Sequence, residues 1–237
     1  MGQWEVINAN CLQALPKIKN IECIFADPPD NIALAYNDYT DRMSDADYGQ
    51  FLSKLVAITT LNANVVWISF NSRHILKMAD AVRRQMPVDW DFRPCVQTFT
   101  FGNYQKNELA NCHRPLWRLT SPNAKFYPDD IRVESERQRL GDKRANPNGK
   151  IPGDVFDFPR VTGNSHQRRS WHPTQLHEGL VERCIRYTTA PGDLVVDPFG
   201  GTGTTLRVCQ RIGRPCKLIE IDSEYCERIK SETSNPA

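Results

Sequence analysis

The segment that most constrains the fold is residues 194–205, which read LVVDPFGGTGTT. Its first residues form an apolar run typical of a buried strand, and its last residues begin a helical pattern. The glycines between them allow the backbone to bend sharply and to approach a ligand closely. This strand-turn-helix arrangement predicts a cofactor-binding turn, and a tight turn without a ligand is the alternative.

Two nucleotide-binding classes that use such a turn do not fit. A phosphate-binding P-loop ends in Gly-Lys-Ser/Thr, and this segment has no lysine. A dinucleotide fingerprint needs a third glycine at position 206, where Leu206 stands. Glu220 ends the next apolar run, roughly 20 residues after the glycines, where a carboxylate can accept both ribose hydroxyls. We therefore expect a nucleoside ligand without a pyrophosphate.

A second cluster follows another apolar run, where residues 21–26 lead into Asp27, Pro28, Pro29 and Asp30. Two consecutive prolines fix φ and remove two backbone donors, so their carbonyl groups cannot be satisfied by continuing a sheet. Beside a carboxylate, these carbonyls form a rigid set of acceptors suited to the two hydrogens of an amino group. Taken alone, Asp-Pro-Pro is more commonly a strand-ending turn than a functional motif.

Apolar runs alternate with helical patterns along much of the chain. Strands are predicted at residues 4–7, 21–26, 65–70, 194–197 and 217–221, and helices at residues 45–59, 72–86, 177–187 and 204–212. This alternation predicts an α/β fold with a mostly parallel sheet covered on both faces. Residues 96–101 and 114–119 are predicted to pair as a later antiparallel hairpin at the sheet edge.

Residues 121–170 differ from the rest of the chain because they are rich in Pro, Gly, Asn and Arg and show little periodicity. A stretch of this length without regular structure predicts a functional insertion or a flexible segment. Its basic residues suit a surface that faces phosphates, although a solvated loop has a similar composition. The residues at the end of the chain, 231–237, are predicted to be a frayed tail.

The composition narrows the class further. The chain has 237 residues, of which 40% are hydrophobic and 24% charged, so we expect one main folded domain. No run approaches the roughly 20 apolar residues of a membrane helix, and the start lacks a signal-peptide layout, which predicts no membrane contact and a cytoplasmic location. The eight cysteines include no Cys-x-x-Cys pair. This spacing favours reduced, buried thiols, and no metal site is expected.

In their order along the chain, the two clusters resemble the permuted beta class of amino-methylating DNA methyltransferases. In that family an Asp-Pro-Pro-aromatic motif comes first, a target-recognition insertion follows, and an Asp-Pro-Phe-x-Gly-x-Gly-Thr-Thr motif lies near the C-terminus. Residues 172–176, which read HPTQL, are similar to the family's segment that leads into the cofactor strand. The resemblance covers nearly the whole chain outside residues 125–159.

The resemblance implies a Rossmann-like, S-adenosylmethionine-dependent methyltransferase fold with a seven-stranded, mostly parallel sheet and a circularly permuted motif order. Residues 4–10 would then lie beside the cofactor strands although they come first in sequence. Residues 1–120 would form a catalytic half with the Asp-Pro-Pro motif, and residues 121–170 the target-recognition insertion. Residues 171–237 would form the cofactor-binding half of the same catalytic domain.

The resemblance also implies the roles of individual residues. The catalytic motif comprises Asp27, Pro28, Pro29 and Asp30. The cofactor residues are Asp197, Pro198, Phe199, Gly200, Gly201, Thr202, Gly203, Thr204, Thr205 and Glu220, with His172, Thr174 and Gln175 at the methionine end of the cofactor. The DNA-binding residues are Tyr36, Tyr39, Arg137, Arg139, Lys143, Arg144, Arg168 and Arg169. The cofactor would be S-adenosylmethionine and the partner DNA with a flipped target base, and a homodimer is an open alternative to a monomer.

Two positions depart from the family pattern. Asp30 stands where the family usually places an aromatic residue that stacks on the flipped base, and Leu176 replaces a frequent lysine. Base stacking would then come from Tyr36, Tyr39 or a residue of the insertion. We predict that Asp30 turns away from the flipped base and anchors the loop that follows it.

The function implied by this resemblance is site-specific methyl transfer from S-adenosylmethionine to N6 of adenine in DNA. Methylation of cytosine N4 is the main alternative because it uses the same chemistry, and Asp27 in place of a serine favours adenine. An RNA substrate is a further alternative. A catalytically silent DNA-binding or cofactor-sensing protein is the last, and the intact Asp27, Gly201 and Gly203 argue against it.

Overall fold

A computed structural model of the chain describes residues 4–37, 39–99, 102 and 106–234. The strands within them are β1 (Trp4–Asn8), β2 (Ile21–Ala26), β3 (Ala63–Ser69), β4 (Asp91–Thr98), β5 (His113–Thr120), β6 (Val155–Asp157), β7 (Leu194–Asp197) and β8 (Cys216–Glu220). They form one sheet in the order β1-β8-β7-β2-β3-β5-β4-β6. The expected α/β fold is confirmed, and all five predicted strands are present, although β1 lies at the sheet edge and has no buried residue.

The helices are α1 (Cys11–Ala14), α2 (Asp45–Asn62), α3 (Ile75–Gln85), α4 (Glu136–Arg139), α5 (Glu178–Thr188), α6 (Thr204–Ile212) and α7 (Ser223–Ser234), with short 3-10 turns at Leu15–Lys17, Ser72–His74 and Pro128–Ile131. The four predicted helices correspond to α2, to α3 with the turn before it, to α5 and to α6. Helix α7 was not predicted, and it includes residues 231–234 of the expected tail. Residues 235–237 lie outside the described residues.

Most of the neighbouring strands run parallel, as predicted. Strand β5 is the exception, because it runs antiparallel to both β3 and β4. The predicted hairpin is therefore confirmed as β4 and β5, although residues 100 and 101 of its first arm lie outside the described residues. The hairpin does not form the edge of the sheet, since β6 pairs with the outer side of β4.

Strand β6 also explains why the sheet has eight strands where seven were expected. It is three residues long and lies in the segment predicted to lack regular structure. By pairing with β4, it satisfies backbone groups that an open sheet edge would leave exposed. So short a strand has no periodicity that could be detected in the sequence.

The position of β1 confirms the permuted order. Strand β1 pairs in parallel with β8, with Asn8 opposite Glu220. The side chain of Asn8 donates to the backbone carbonyl of Glu220 over 3.1 Å, and this bond adds to the strand pairing. The first strand of the chain therefore lies beside the strand that the cofactor motif leads into.

Two apolar layers cover the sheet because alternate strand residues face opposite sides. On one face, Ile24 and Val66 pack with residues of α2 and α3 such as Leu52. On the other face, Trp67 packs with residues of α5 and α6 such as Leu180. Both faces of the sheet are thus buried, so a ligand can reach the sheet only at the ends of its strands. None of the helices in the described part of the chain is long and apolar enough to cross a bilayer.

The insertion has short elements rather than long ones. Its helix α4 begins with a capping box, in which Ser135 accepts from the backbone N–H of Gln138 and the Gln138 side chain accepts from that of Ser135. An antiparallel bridge between Val133 and Lys150 closes the segment around this helix. The backbone N–H of Tyr127 donates to the carbonyl of Tyr187, which attaches the start of the insertion to α5.

Candidate active site

A cleft of about 1090 Å³ lies along the carboxyl ends of the parallel strands. Asp27 follows β2, Asn71 follows β3, Pro198 follows β7 and Ile221 follows β8, and all four residues line it. Ligands of open parallel sheets bind at this edge. The predicted site residues that line the cleft are Asp27, Pro28, Pro29, Asp30, Tyr36, Tyr39, His172, Thr174, Gln175, Asp197, Pro198, Phe199, Gly200, Gly201, Thr202, Thr204, Thr205 and Glu220.

The turn after β7 requires glycine at three of its positions. Gly201 has φ +51° and Gly203 has φ +75°, a region that other residues rarely adopt. Gly200 has a different reason, because a Cβ there would run into the Leu218 side chain. A Cβ on Gly201 would lie 3.4 Å from the ring of His172, whereas one on Gly203 would meet Ile229 at 3.0 Å. Gly201 thus borders the cleft, and Gly203 allows α7 to pack closely.

Glu220 supports this turn from the end of β8. One carboxylate oxygen accepts from the backbone N–H of Gly201 over 2.7 Å, and the other from that of Asp222 over 2.9 Å. Burial raises the pKa of Glu220 above its ordinary value, and these two hydrogen bonds oppose the rise. Each carboxylate oxygen has a second lone pair that can accept from a ligand hydroxyl.

Asp197 is a buried acid at the end of β7. Burial raises its pKa to about 8, while hydrogen bonds from the Thr205 hydroxyl and the Phe199 backbone N–H oppose that rise. The Phe199 bond is 2.8 Å long. A cation bound in this part of the cleft would favour the ionised form of Asp197.

The turn after β2 is organised by an arginine that the sequence did not single out. Arg114, from the start of β5, donates from Nη2 to Oδ1 of Asp27 over 2.7 Å. Its two terminal nitrogens also donate to the two oxygens of Asp30, over 3.0 and 2.9 Å. Burial raises the pKa of Asp27, and the Arg114 guanidinium opposes that rise. The arginine therefore offsets the repulsion between two neighbouring carboxylates.

The backbone carbonyls of the same turn have distinct partners. The Tyr48 hydroxyl donates to the carbonyl of Pro29 over 2.7 Å, and Nε2–H of His74 donates to that of Asp30, also over 2.7 Å. Within the described residues, the carbonyl of Pro28 accepts no hydrogen bond. Asp27 and the Pro28 carbonyl are therefore adjacent acceptors at the cleft, with the next two carbonyls already satisfied.

The segment of residues 172–176 faces the glycine turn across the cleft. His172 is buried, and its Nδ1–H donates to the carbonyl of Thr174 over 2.6 Å. Burial lowers the pKa of His172, so the ring is neutral near neutral pH and Nε2 is an acceptor. The side chain of Gln175 accepts from the backbone N–H of Arg169 and donates to the carbonyl of Gln167, so it holds the segment in place.

The loop after Asp30 lies over the cofactor half of the cleft. Asp41 anchors it by accepting from the backbone N–H groups of Asn31, Ile32 and Leu34. The prediction that Asp30 anchors this loop is therefore wrong, because its carboxylate is occupied by an arginine on another strand. Within the loop, the ring of Tyr36 lies 5.5 Å from that of His172 and 5.9 Å from that of Tyr39.

Sequence reasoning missed a second group of cleft residues at the ends of β4 and β6. Phe99 and Arg160 line the cleft, and the Arg160 guanidinium lies 5.5 Å from the centre of the Phe99 ring. His113, at the start of β5, lines it as well. These residues belong to no motif, and only the pairing of β4 with β5 and β6 brings them together. No signal in the linear sequence could have found them.

Gly203 and the six predicted basic residues do not line the cleft within the described residues. Arg144 is paired with Asp142, and Arg139 lies 3.4 Å from Glu134. Arg169 is paired with Glu232 of α7. In the described part of the chain, Arg137, Lys143 and Arg168 form no ion pair. The same residues include no group of three or more His, Cys, Asp or Glu side chains arranged to hold a metal ion.

The permuted sheet, with a glycine turn on one side of the cleft and an acidic Asp-Pro-Pro turn on the other, defines a Rossmann-like methyltransferase. The sequence profile of a DNA methylase family named for N6 and N4 methylation matches residues 21–231. The chain belongs to this N6/N4 DNA methylase family, whose members are S-adenosylmethionine-dependent enzymes.

Two curated proteins show the extent of the similarity. The DNA adenine methyltransferase YhdJ of Escherichia coli (strain K12) is 30% identical over 93% of this chain and 79% of its own length. The type II methyltransferase M.BglII of Bacillus subtilis is 38% identical over 53% of this chain. That match spans only 37% of the length of M.BglII.

A solved structure shows the same fold. The M1.HpyAVI–SAM complex superposes with a TM-score of 0.66 over 98% of this chain and 100% of that chain. The two sequences are 18% identical.

Proposed function

We propose that the chain transfers a methyl group from S-adenosylmethionine to the exocyclic amino group of a base in DNA, with N6 of adenine as the first candidate. The observation that carries the proposal is the geometry of the Asp-Pro-Pro turn. Asp27 and the Pro28 carbonyl are adjacent acceptors at the cleft, and the glycine turn and Glu220 lie in the same cleft. An amino group presents two hydrogens to two such acceptors.

The residues present fit the cofactor. A Cβ on Gly201 would touch the His172 ring at 3.4 Å, so glycine keeps this part of the cleft clear for a ligand. Free lone pairs of the Glu220 carboxylate suit the ribose hydroxyls, and Nε2 of the neutral His172 suits the ammonium of the methionine end. Asp197 lines the same cleft, and its carboxyl group would be ionised by, and would hold, a positively charged part of the ligand. When bound, S-adenosylmethionine supplies a methyl group on a positively charged sulfur.

The protein has to make a poor nucleophile reactive. The lone pair of an exocyclic amino nitrogen is delocalised into the ring. Hydrogen bonds from this group to Asp27 and to the Pro28 carbonyl would draw the nitrogen toward tetrahedral geometry and direct its lone pair at the methyl group. The N–C bond would form as the bond between the methyl group and sulfur breaks, with the electron pair left on sulfur as a neutral thioether. The nitrogen would become positive, and Asp27 would stabilise that charge. One proton of the nitrogen would then pass to Asp27 and on to water, which leaves a neutral methylated amino group.

Access to the amino group requires that the target nucleotide leave the duplex, which costs a few kcal/mol. Phe99 and Arg160 line the cleft beyond β3, on the side of Asp27 opposite the glycine turn. Tyr36 lies against His172 on the cofactor side. We therefore assign base stacking to Phe99 rather than to Tyr36 or Tyr39. Stacking on an aromatic side chain contributes about 1 to 3 kcal/mol per base.

The choice between adenine and cytosine rests on Asp27 and on the relatives. The family includes both N6 and N4 methylation, and YhdJ is named an adenine methyltransferase. Adenine N6 is therefore the first candidate and cytosine N4 the second. Arg114 holds Asp27 in place, and the Pro28 carbonyl beside it has no hydrogen-bond partner among the described residues. This arrangement favours an active enzyme over a catalytically silent protein. The homodimer and the phosphate contacts of the insertion remain predictions.

The test is transfer of an isotope-labelled methyl group from S-adenosylmethionine to duplex DNA, followed by mass spectrometry of the nucleosides. We expect labelled N6-methyladenine with the wild type and a loss of at least about 100-fold for Asp27→Ala. Asp89→Ala, at an exposed position away from the cleft, is the matched control. N4-methylcytosine as the product would shift the assignment to cytosine. Near wild-type turnover by Asp27→Ala would overturn the proposed role of the carboxylate.

A further inference from the structure

Arg114 of β5 makes four hydrogen bonds at the Asp-Pro-Pro turn. Its Nε donates to the Ser69 hydroxyl over 2.8 Å, and its terminal nitrogens donate to Asp27 and Asp30. Only about a fifth of the Arg114 side chain and a ninth of the Asp30 side chain are exposed. A guanidinium has five N–H donors in a fixed plane, and four of them are used here.

The terminal nitrogens of Arg114 form more hydrogen bonds with Asp30 than with Asp27. Asp30 takes a two-pronged contact with the guanidinium, through both of its oxygens. Asp27 takes a single contact, through Oδ1. Because Asp30 occupies both terminal nitrogens, Arg114 does not close on both oxygens of Asp27. The Ser69 hydroxyl also forms a hydrogen bond with Asp27. The remaining lone pairs of the Asp27 carboxylate stay available for an amino group.

The net charge of Asp27, Asp30 and Arg114 also favours methyl transfer. Asp27 with Arg114 alone would be a neutral pair, whereas the three groups together keep one net negative charge. A positively charged sulfonium and a nitrogen that becomes positive during transfer are both stabilised by that charge. The Asp30 side chain thus restores the negative charge that the Arg114 guanidinium would otherwise neutralise.

We propose that Asp30 and Arg114 are a pair of positioning residues, in which Asp30 holds the guanidinium so that Arg114 orients Asp27 without consuming its second oxygen. This inference rests on the proposed role of Asp27. It assigns a purpose to the acidic residue that stands at a position the family usually gives to an aromatic. In this chain the position serves the catalytic carboxylate rather than the face of the base.

The pH dependence of the rate separates this role from a structural one. The groups that face Asp27 are Arg114 from β5, Asp30 from its own turn, Asp197 from β7 and Tyr36 from the following loop. Arg114 lowers the pKa of Asp27, and Asp30 raises it. The acid limb of the rate should therefore move to higher pH in Arg114→Gln and to lower pH in Asp30→Asn, because the ionised carboxylate is the acceptor.

The experiment measures kcat, KM and the pH profile of Asp30→Asn, Arg114→Gln, Arg114→Lys and the double variant. In Asp30→Asn and in Arg114→Gln we expect kcat to fall by roughly 100-fold, the cost of a small misplacement of a reacting group, with KM for DNA within about twofold. Arg114→Lys keeps the charge but has no planar fork, so it should rescue kcat only in part. The double variant should return the acid limb toward the wild-type position.

Several controls keep the outcome decisive. Arg93→Gln, on the exposed side of β4, should behave as the wild type. The double variant removes one negative and one positive charge, so it keeps the net charge of the three groups at the wild-type value, whereas Asp30→Asn and Arg114→Gln alone each change it. Thermal unfolding of all four variants separates a loss of rate from a loss of fold, since an unpaired buried charge is costly. Unchanged kcat and pH profiles in Asp30→Asn and Arg114→Lys, with Asp27→Ala inactive, would overturn this inference alone. An active Asp27→Ala would overturn the proposed function with it.

Discussion

The two turns that form the cleft end neighbouring parallel strands, yet they are stabilised in different ways. The turn after β7 takes its shape from its own backbone, with positive φ at Gly201 and Gly203 and one supporting carboxylate from Glu220. The turn after β2 contains no glycine. Its prolines fix φ, and its other groups are held by side chains from distant parts of the chain, such as Tyr48 and Arg114.

This difference indicates where each turn is sensitive to substitution. In the glycine turn, any side chain at a position of positive φ strains the backbone itself. In the Asp-Pro-Pro turn, none of residues 27–30 has a positive φ. The sensitive positions there are the hydrogen-bond partners on α2, β3, β5 and the 3-10 turn Ser72–His74. Variants can test this contrast directly.

The largest effect is expected at Gly201. Gly201→Val places a β-branched residue at φ +51° and fills the space toward His172, so we expect S-adenosylmethionine binding to fall by at least two orders of magnitude. Isothermal titration calorimetry measures the Kd for S-adenosylmethionine in the wild type and in the variant. The matched control is Gly213→Val at φ +69°, where a Cβ meets nothing within 4 Å. Equal reductions of binding in both variants would mean that backbone strain, rather than the cleft, is responsible.

A smaller effect is expected at Glu220. Glu220→Gln keeps one acceptor oxygen for two backbone N–H groups and aims an N–H₂ group at the second, which costs about 1 to 3 kcal/mol. We expect the cofactor Kd to rise by about tenfold to a hundredfold. Glu227→Gln, on the exposed side of α7, is the control. A wild-type Kd in Glu220→Gln would remove the carboxylate from both the turn and the ribose.

Removing one hydrogen-bond partner of the Asp-Pro-Pro turn should have a still smaller effect on the rate of methyl transfer. Tyr48→Phe removes the hydrogen bond to the Pro29 carbonyl and leaves the ring in place, at a cost of about 1 kcal/mol. We expect a fall of about fivefold in kcat and no change in cofactor Kd. Tyr127→Phe serves as the control for removal of a hydroxyl. A change in cofactor affinity without a change in kcat would contradict the separation between the two turns.

The insertion, residues 121–170, is shaped neither by the glycine turn nor by the partners of the Asp-Pro-Pro turn. We expect each substitution there to have the smallest effect on DNA binding or methyl transfer. If Arg137, Arg139, Lys143 and Arg144 neutralise phosphates, replacing them with Ala should reduce the salt dependence of DNA binding by a slope of roughly 0.9 for each phosphate that is no longer neutralised. Arg139 and Arg144 already face acidic partners, so Arg137 and Lys143 should account for most of the change. The control is Arg83→Ala with Arg84→Ala on α3. An unchanged slope would assign the four residues to a solvated surface.

The same contrast explains what the sequence could predict. The position of the turn after β7 was predicted, because glycine, proline and carboxylate spacing are local properties. The position of the turn after β2 was predicted as well. Its partners were not, since nothing in the sequence links Arg114 or His74 to Asp27. The role given to Asp30 failed for that reason, because the residue that occupies it belongs to a strand far away in the sequence.

The arrangement of strands also has a consequence for the order of folding. Strands β1 and β2 are synthesised first, yet β7 and β8 lie between them in the sheet. The Asp-Pro-Pro turn can pack as soon as β3, β5 and α2 have emerged from the ribosome. Strand β1 has no neighbour until β8 is made, so its docking closes a loop of most of the chain, which costs entropy and slows the step. Cofactor affinity should therefore appear only after Glu220 has been synthesised, later than the assembly of the Asp-Pro-Pro turn.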